Sequence, residues 1–152
     1  MDKIIISDTS CLIALGNIGL LHILRDIFHE VIITEEVKKE YGENLPKWFI
    51  VLKVKDPSKT IEIATRLDIG EASSIALALE LENTMLIIDE IKGRNVARSY
   101  NLEIIGTIGI LLLAHDKGYI DDFLGTIQKL VDNGFRLSDT LFEKLRNKHG
   151  RK

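Results

Sequence analysis

The chain has 152 residues, 45% of them hydrophobic and 28% charged, with a formal net charge of -3. That length and balance suit one globular domain with a sizeable core and exclude a disordered chain, while the mild negative charge argues against a surface that clamps nucleic acid all over and leaves room for a local groove. No apolar run approaches the roughly 20 residues of a membrane span, no signal-peptide pattern opens the chain, and a lone cysteine, Cys11, forms no intramolecular disulfide, so a cytoplasmic protein is expected.

Ile4, Ile5 and Ile6 form a β-branched run too short for a helix and read as a strand buried on both faces. Asp8 follows directly, at the strand's carboxyl end, where open α/β sheets bind ligands. It could equally cap the next helix. Residues 10–28 read as two short helices broken near Gly16 and Gly19. Val31 to Ile33 is a second strand, and Thr34 caps a helix with Val37 and Tyr41 inward, ended by Gly42. Residues 48–54 suggest an edge strand between Pro46 and Pro57, followed by a polar helix around 61–66. From Asp68, the spacing of Ala72, Ile75, Ala76 and Leu79 predicts a helix that leads to the strand Met85 to Ile88. Asp89 and Glu90 close that strand. A basic helix follows, with Lys92, Arg94 and Arg98 outward and Ile91, Val96 and Ala97 partly inward. Glu103 to Ile105 is a last strand, Gly106-Thr107-Ile108-Gly109 opens an apolar helix, and two amphipathic helices near 120–131 and 138–148 complete the chain.

The alternation of strands and helices predicts an α/β fold with a mainly parallel sheet covered on both faces. Strands of one direction place Asp8 and Asp89 on the same edge. Helices returning between them place Glu71, in a first turn, on that edge too. Glu40 stands about one and a half turns into its helix, roughly 8 Å deeper, within reach of an inward side chain. Each acid also has an ordinary explanation: Asp68 and Glu71 have capping-box spacing, Asp89 could cap the next helix, and Glu40 could lie on the surface. Gathered together, four carboxylates repel one another unless a cation joins them, and Mg²⁺ or Mn²⁺ suits such oxygen ligands. His22, His29, His115 and His149 show no metal-ligand spacing. A hard metal among acids suggests phosphodiester hydrolysis, with Lys92 and Arg94 holding phosphate and the helix at Thr107 offering N–H groups to an anion. The basic tail (Lys144, Arg146, Lys148, Arg151 and Lys152) reads foremost as a solvated helix face or frayed end, with phosphate binding as the alternative.

Ile6-Ser7-Asp8-Thr9-Ser10, Val37-x-x-Glu40, Gly70-Glu71-Ala72, Ile87-Ile88-Asp89-Glu90 and Gly93-Arg94 together resemble the PIN-domain family of metal-dependent ribonucleases, which includes toxins of VapC type. The resemblance spans Ile4 to about Lys117. It implies a three-layer α/β/α fold, one or two Mg²⁺ or Mn²⁺ ions, hydrolysis of single-stranded RNA and homodimers. Carried onto this sequence, the metal ligands and catalytic residues are Asp8, Glu40, Glu71 and Asp89, with Glu90 the alternative to Asp89; Ser10, Lys92, Arg94 and Thr107 are candidates for substrate binding. Glu71 stands where many members carry Asp. One PIN-like domain over 1–152 is expected, its core ending near 117. The extension from about 118 carries a stripe of Leu137, Leu141 and Leu145 that closes the core or, alternatively, meets an antitoxin or a second copy.

Two readings compete: a metal-dependent endoribonuclease, with a toxin of a toxin-antitoxin pair as one form of it, and a non-catalytic PIN-like module that binds RNA or protein. A receiver-type phosphoacceptor domain fits poorly, because Asp8 stands without a neighbouring acid. A dehalogenase-like phosphatase would want Asp-x-Asp where Asp8-Thr9-Ser10 is found.

Overall fold

The three early isoleucines form the strand that the other strands flank. The computed structural model describes residues 3–150. In chain order its elements are β1 (Ile4–Ser7), α1 (Thr9–Asn17), α2 (Ile23–Phe28), β2 (Val31–Thr34), α3 (Glu35–Tyr41), β3 (Phe49–Leu52), α4 (Pro57–Ile63), α5 (Ile69–Glu80), β4 (Thr84–Ile87), α6 (Ile91–Ser99), β5 (Glu103–Ile105), α7 (Thr107–Asp116), α8 (Phe123–Asp132) and α9 (Asp139–His149). The strands form one sheet in the order β3-β2-β1-β4-β5, and every neighbouring pair is parallel. Residues 48–54 thus supply an edge strand, as their loose alternation and flanking prolines suggest.

Strand side chains alternate between faces, so each face of a buried parallel sheet needs its own apolar cover. Ile5 and Ile87 belong to one core with Leu12, Leu15, Leu24, Ile110 and Ile127; Ile6, Leu86 and Ile88 belong to a second with Ile63, Ile75 and Val96. Helices on both sides of one sheet give the three-layer α/β/α arrangement. α5 is buried from Gly70 to Ala78, and its small residues let it lie close to the sheet. Thr34 caps α3 by accepting from the Val37 N–H at 3.1 Å, and its hydroxyl also meets that of Ser73 at 2.8 Å, which ties the start of α3 to α5. Gly42, at φ 76°, adopts the left-handed turn that ends α3.

Three local expectations shift. The helix foreseen around 61–66 spans Pro57–Ile63 instead, because Asp56 caps it and Pro57 takes a first-turn position that needs no N–H donor. Ile91, expected partly inward, is 75% exposed at the first position of α6, whose buried residues are Gly93, Val96 and Ala97. In the carboxyl-terminal stripe, Leu137 and Leu145 pack on the first core together with Phe142, whereas Leu141 is 42% exposed. Of the basic tail, Lys144, Arg146 and Lys148 are exposed on α9, with Arg146 paired to Glu143 at 3.0 Å; Arg151 and Lys152 lie outside the described residues. No helix among the described residues is long and apolar enough to cross a membrane.

Candidate functional site

The strand order determines where a ligand can enter. From β1 the chain moves outward through β2 to β3, then returns to the other side of β1 to lay down β4. At that reversal the connections leave the strand ends in opposite directions and open a crevice at the carboxyl edge. Asp8 follows β1 and Asp89 follows β4, so the two strands that border the reversal each deliver an acid. The Asp8 N–H donates to the Ile87 carbonyl at 3.1 Å and joins the two strand ends.

Asp8 is fully buried. It does cap α1, through a long 3.4 Å contact from the Cys11 N–H to Oδ1, but Oδ2 has no hydrogen-bond partner. The capping and site readings of the sequence therefore hold for different oxygens of one carboxylate. Burial pushes the Asp8 carboxyl well above the usual carboxylate range; the charge of Asp89 adds to this, the Cys11 N–H partly offsets it, and Glu71 and Asp68 raise it further. Glu71, 6% exposed, shows the same pattern. Its Oε2 is buried without a partner, and burial, with Asp68 and Glu90 nearby, raises its pKa from 4.5 to about 7. Asp68 accepts from the Glu71 N–H at 2.8 Å, so the residue read as a cap is also part of the acidic group.

Asp89 is held differently. The Thr107 N–H donates to Oδ1 at 2.8 Å and the Thr107 hydroxyl to Oδ2 at 2.6 Å. Thr107, expected to offer its N–H to a substrate anion, thus gives it to a protein carboxylate. Arg94, expected to hold phosphate, folds back so that Nη1 donates to the Ile88 carbonyl at 2.9 Å, which uses one of its five donors. Cys11 is fully buried, its thiol pushed up by burial and by the Asp89 charge, as befits an inert core residue.

Glu40 is exposed on α3, as its surface reading allows, but its carboxylate turns to the first turn of α5: a methyl group on Gly70 would stand 2.6 Å from Glu40 Oε1 and 3.2 Å from Thr9 Oγ1. A methyl on Gly93 would likewise stand 3.1 Å from Glu71 Oε2 and 2.6 Å from Ile88 Cδ1. Both motif glycines are places where a site carboxylate approaches a helix closely.

Above these residues opens a polar cleft of about 370 Å³, lined by Ser10, Thr65, Arg66, Asp68, Glu71, Glu90 and Lys92, with Ala64 and Leu67. Glu90, which makes no capping bond to α6, faces this cleft, while Asp89 is turned toward Thr107. In the sequence Thr65 and Arg66 carry no functional signal, as the end of a polar helix around 61–66; in the structure they lie in the connection between α4 and α5, just before its cap Asp68. Among the described residues, no three His, Cys, Asp or Glu side chains are grouped closely enough, as they stand, to hold a metal ion. Three of the acids instead accept from local backbone donors, Asp8 from Cys11, Asp68 from Glu71 and Asp89 from Thr107. Two buried carboxylate oxygens without partners nevertheless fit a hard cation, which would satisfy both and offset the cost of burying their charge.

Linkage gives this arrangement a measurable signature in metal-free protein. A raised folded pKa means that the native state keeps a proton the unfolded chain has released, so stability is fully present below about pH 4.5 and is lost as pH rises through about 7. We predict that chelator-treated protein loses about 3 kcal/mol from this group between those limits. Thermal melts across the window measure it, and Glu71→Gln should flatten the slope; an unchanged slope would remove Glu71 as its source.

A parallel α/β sheet with buried acids at its point of reversal defines the class, one of proteins that bind ligands at the carboxyl edge. A family model described as DUF3368, PIN domain, matches residues 4–151, and the chain belongs to that family. The match continues through the two carboxyl-terminal helices. PIN domains are in general nucleases and usually use divalent metal ions. No curated protein and no solved structure matches the chain.

Proposed function

We propose that the protein is a metal-dependent endoribonuclease that hydrolyses phosphodiester bonds of single-stranded RNA at the β1–β4 edge. The observation that carries this reading is the pair of buried carboxylate oxygens, Asp8 Oδ2 and Glu71 Oε2, left without partners at the reversal of the sheet. Asp8, Glu71 and Asp89, with Glu40 at the rim, would hold one or two Mg²⁺ or Mn²⁺ ions, and Glu90 is the alternative to Asp89. Such an ion, when bound, activates water and stabilises charge on the leaving oxygen. Thr107 orients the Asp89 carboxylate through both of its oxygens, and Arg94 steadies the end of β4 beside it. Ser10 and Lys92 line the open cleft, where substrate would be positioned. A homodimer and an antitoxin partner for a toxin role belong to this reading as what the family resemblance implies, and a cytoplasmic setting as what the lone cysteine and the composition suggest.

The direct test is incubation of the protein with end-labelled single-stranded RNA and Mn²⁺. Internal cleavage that disappears with chelator and returns with added metal is the expected result. A second reading, a non-catalytic module that binds RNA or protein, is favoured by the absence of three grouped metal-holding side chains among the described residues. RNA that stays intact while the protein binds neither Mn²⁺ nor Mg²⁺ at millimolar concentration would decide for that module.

A further inference from the structure

An acidic site poses an electrostatic problem for a polyanionic substrate. The cleft presents Asp68 and Glu90 toward solvent, with the buried Glu71 in its lining, and the whole chain carries a net charge of -3, so a phosphate backbone meets repulsion on approach. A bound divalent ion offsets part of this at the acids themselves, but the phosphates on either side of the reacting one need cations elsewhere. The cleft lining contains two. Lys92 comes from the first turn of α6, and Arg66 from the connection between α4 and α5, where its N–H to the Ile63 carbonyl at 3.0 Å fixes the turn. Among the described residues neither forms an ion pair, although three carboxylates share the same cleft. Arg66 is exposed, so its guanidinium stays hydrated and free to exchange water for an incoming anion.

We propose that Arg66 is a substrate-binding residue that, with Lys92, grips the phosphates of a single-stranded nucleic acid flanking the bond to be cut. The proposal rests on the nuclease reading of this site and deepens it. The planar guanidinium offers a bidentate fit to phosphate, and the Lys92 ammonium acts as a point charge on a neighbouring one. Two cations from separate segments define a path for the strand across the cleft. Arg94, with one nitrogen bonded to the Ile88 carbonyl, does not line this cleft.

The test uses the full chain in two assays: anisotropy binding of labelled single-stranded RNA in chelator at several salt concentrations, and steady-state cleavage with Mn²⁺. Arg66→Ala should weaken binding by about tenfold and make the dependence of log affinity on log salt shallower by about 0.7, the contribution of one phosphate contact on a single strand. KM should rise while kcat stays within about twofold. Arg66→Lys should restore the salt slope but only part of the affinity, a split that a merely structural role would not produce. Wild-type cleavage together with an unaltered KM and salt slope in Arg66→Ala overturns the grip and leaves the nuclease reading standing. Wild-type binding without cleavage, lost in Arg66→Ala, keeps the grip and removes the nuclease. A wild-type protein that neither binds nor cleaves RNA removes both.

Discussion

Asp8→Asn should lower RNA cleavage by about 100-fold or more while making the metal-free protein more stable. The two effects share one cause. In the native fold the Asp8 carboxylate is fully buried with Oδ2 unpartnered, and burial together with the neighbouring Asp89 charge opposes its ionisation. Asparagine keeps the size and the Oδ1 acceptor for the Cys11 N–H but removes the charge, so the apoprotein should gain about 1–3 kcal/mol near neutral pH. The loss of activity follows because loss of an outer partner of a metal ligand already costs 10–100-fold, and Asp8 is proposed as a ligand itself. Melting curves in chelator and cleavage assays in Mn²⁺ measure the two halves separately. Added Mn²⁺ should raise the melting temperature of the wild type more than that of the variant. Full activity in Asp8→Asn would rule out this edge as the reaction centre.

Thr107→Val should lower activity by about 10–100-fold, at a stability cost of about 1–2 kcal/mol. Valine matches threonine in shape and retains the backbone N–H that donates to Asp89 Oδ1, but it removes the 2.6 Å bond from the hydroxyl to Oδ2. Asp89 then keeps one anchor and can swing about it. Thr107→Ser, which preserves the hydroxyl, should recover most of the loss. The discriminating measurement is Mn²⁺ affinity by calorimetry: a weaker affinity that serine restores marks Thr107 as a positioning residue for Asp89. An unchanged affinity would leave Thr107 with only the start of α7 to organise.

Much of this could be read from residue patterns, because the strongest determinants are local. Ile4-Ile5-Ile6 has the composition of a strand buried on both faces, and the caps Thr34 and Asp68 stand at the spacing that helix starts require. Strand direction then places Asp8, Asp89 and Glu71 at one edge without coordinates. The pattern lacks side-chain direction and lateral strand order. Helical spacing alone does not show that Glu40 turns to Gly70 at the start of α5, a direction that follows from α3 lying beside α5 through Thr34 and Ser73. Arg94 reads as outward by helical spacing, yet its long side chain folds back to a free carbonyl at the end of β4. Arg66 reads from the sequence as the end of a polar helix around 61–66, a solvated position without functional signal, whereas it lies in the connection after α4.

The strand order also bears on when the site comes into being. β1 precedes the other strands and carries Asp8, but its neighbour on the side of Asp89 is β4, and the residue that steadies Asp89 begins α7. During synthesis, then, an emerging chain can pair β1 with β2 and β3 long before it contains the second half of the centre. Every shorter nascent chain lacks Asp89 and Thr107 altogether. For a protein whose proposed substrate is RNA, the consequence is that the proposed site cannot assemble until the chain through Thr107 has been made.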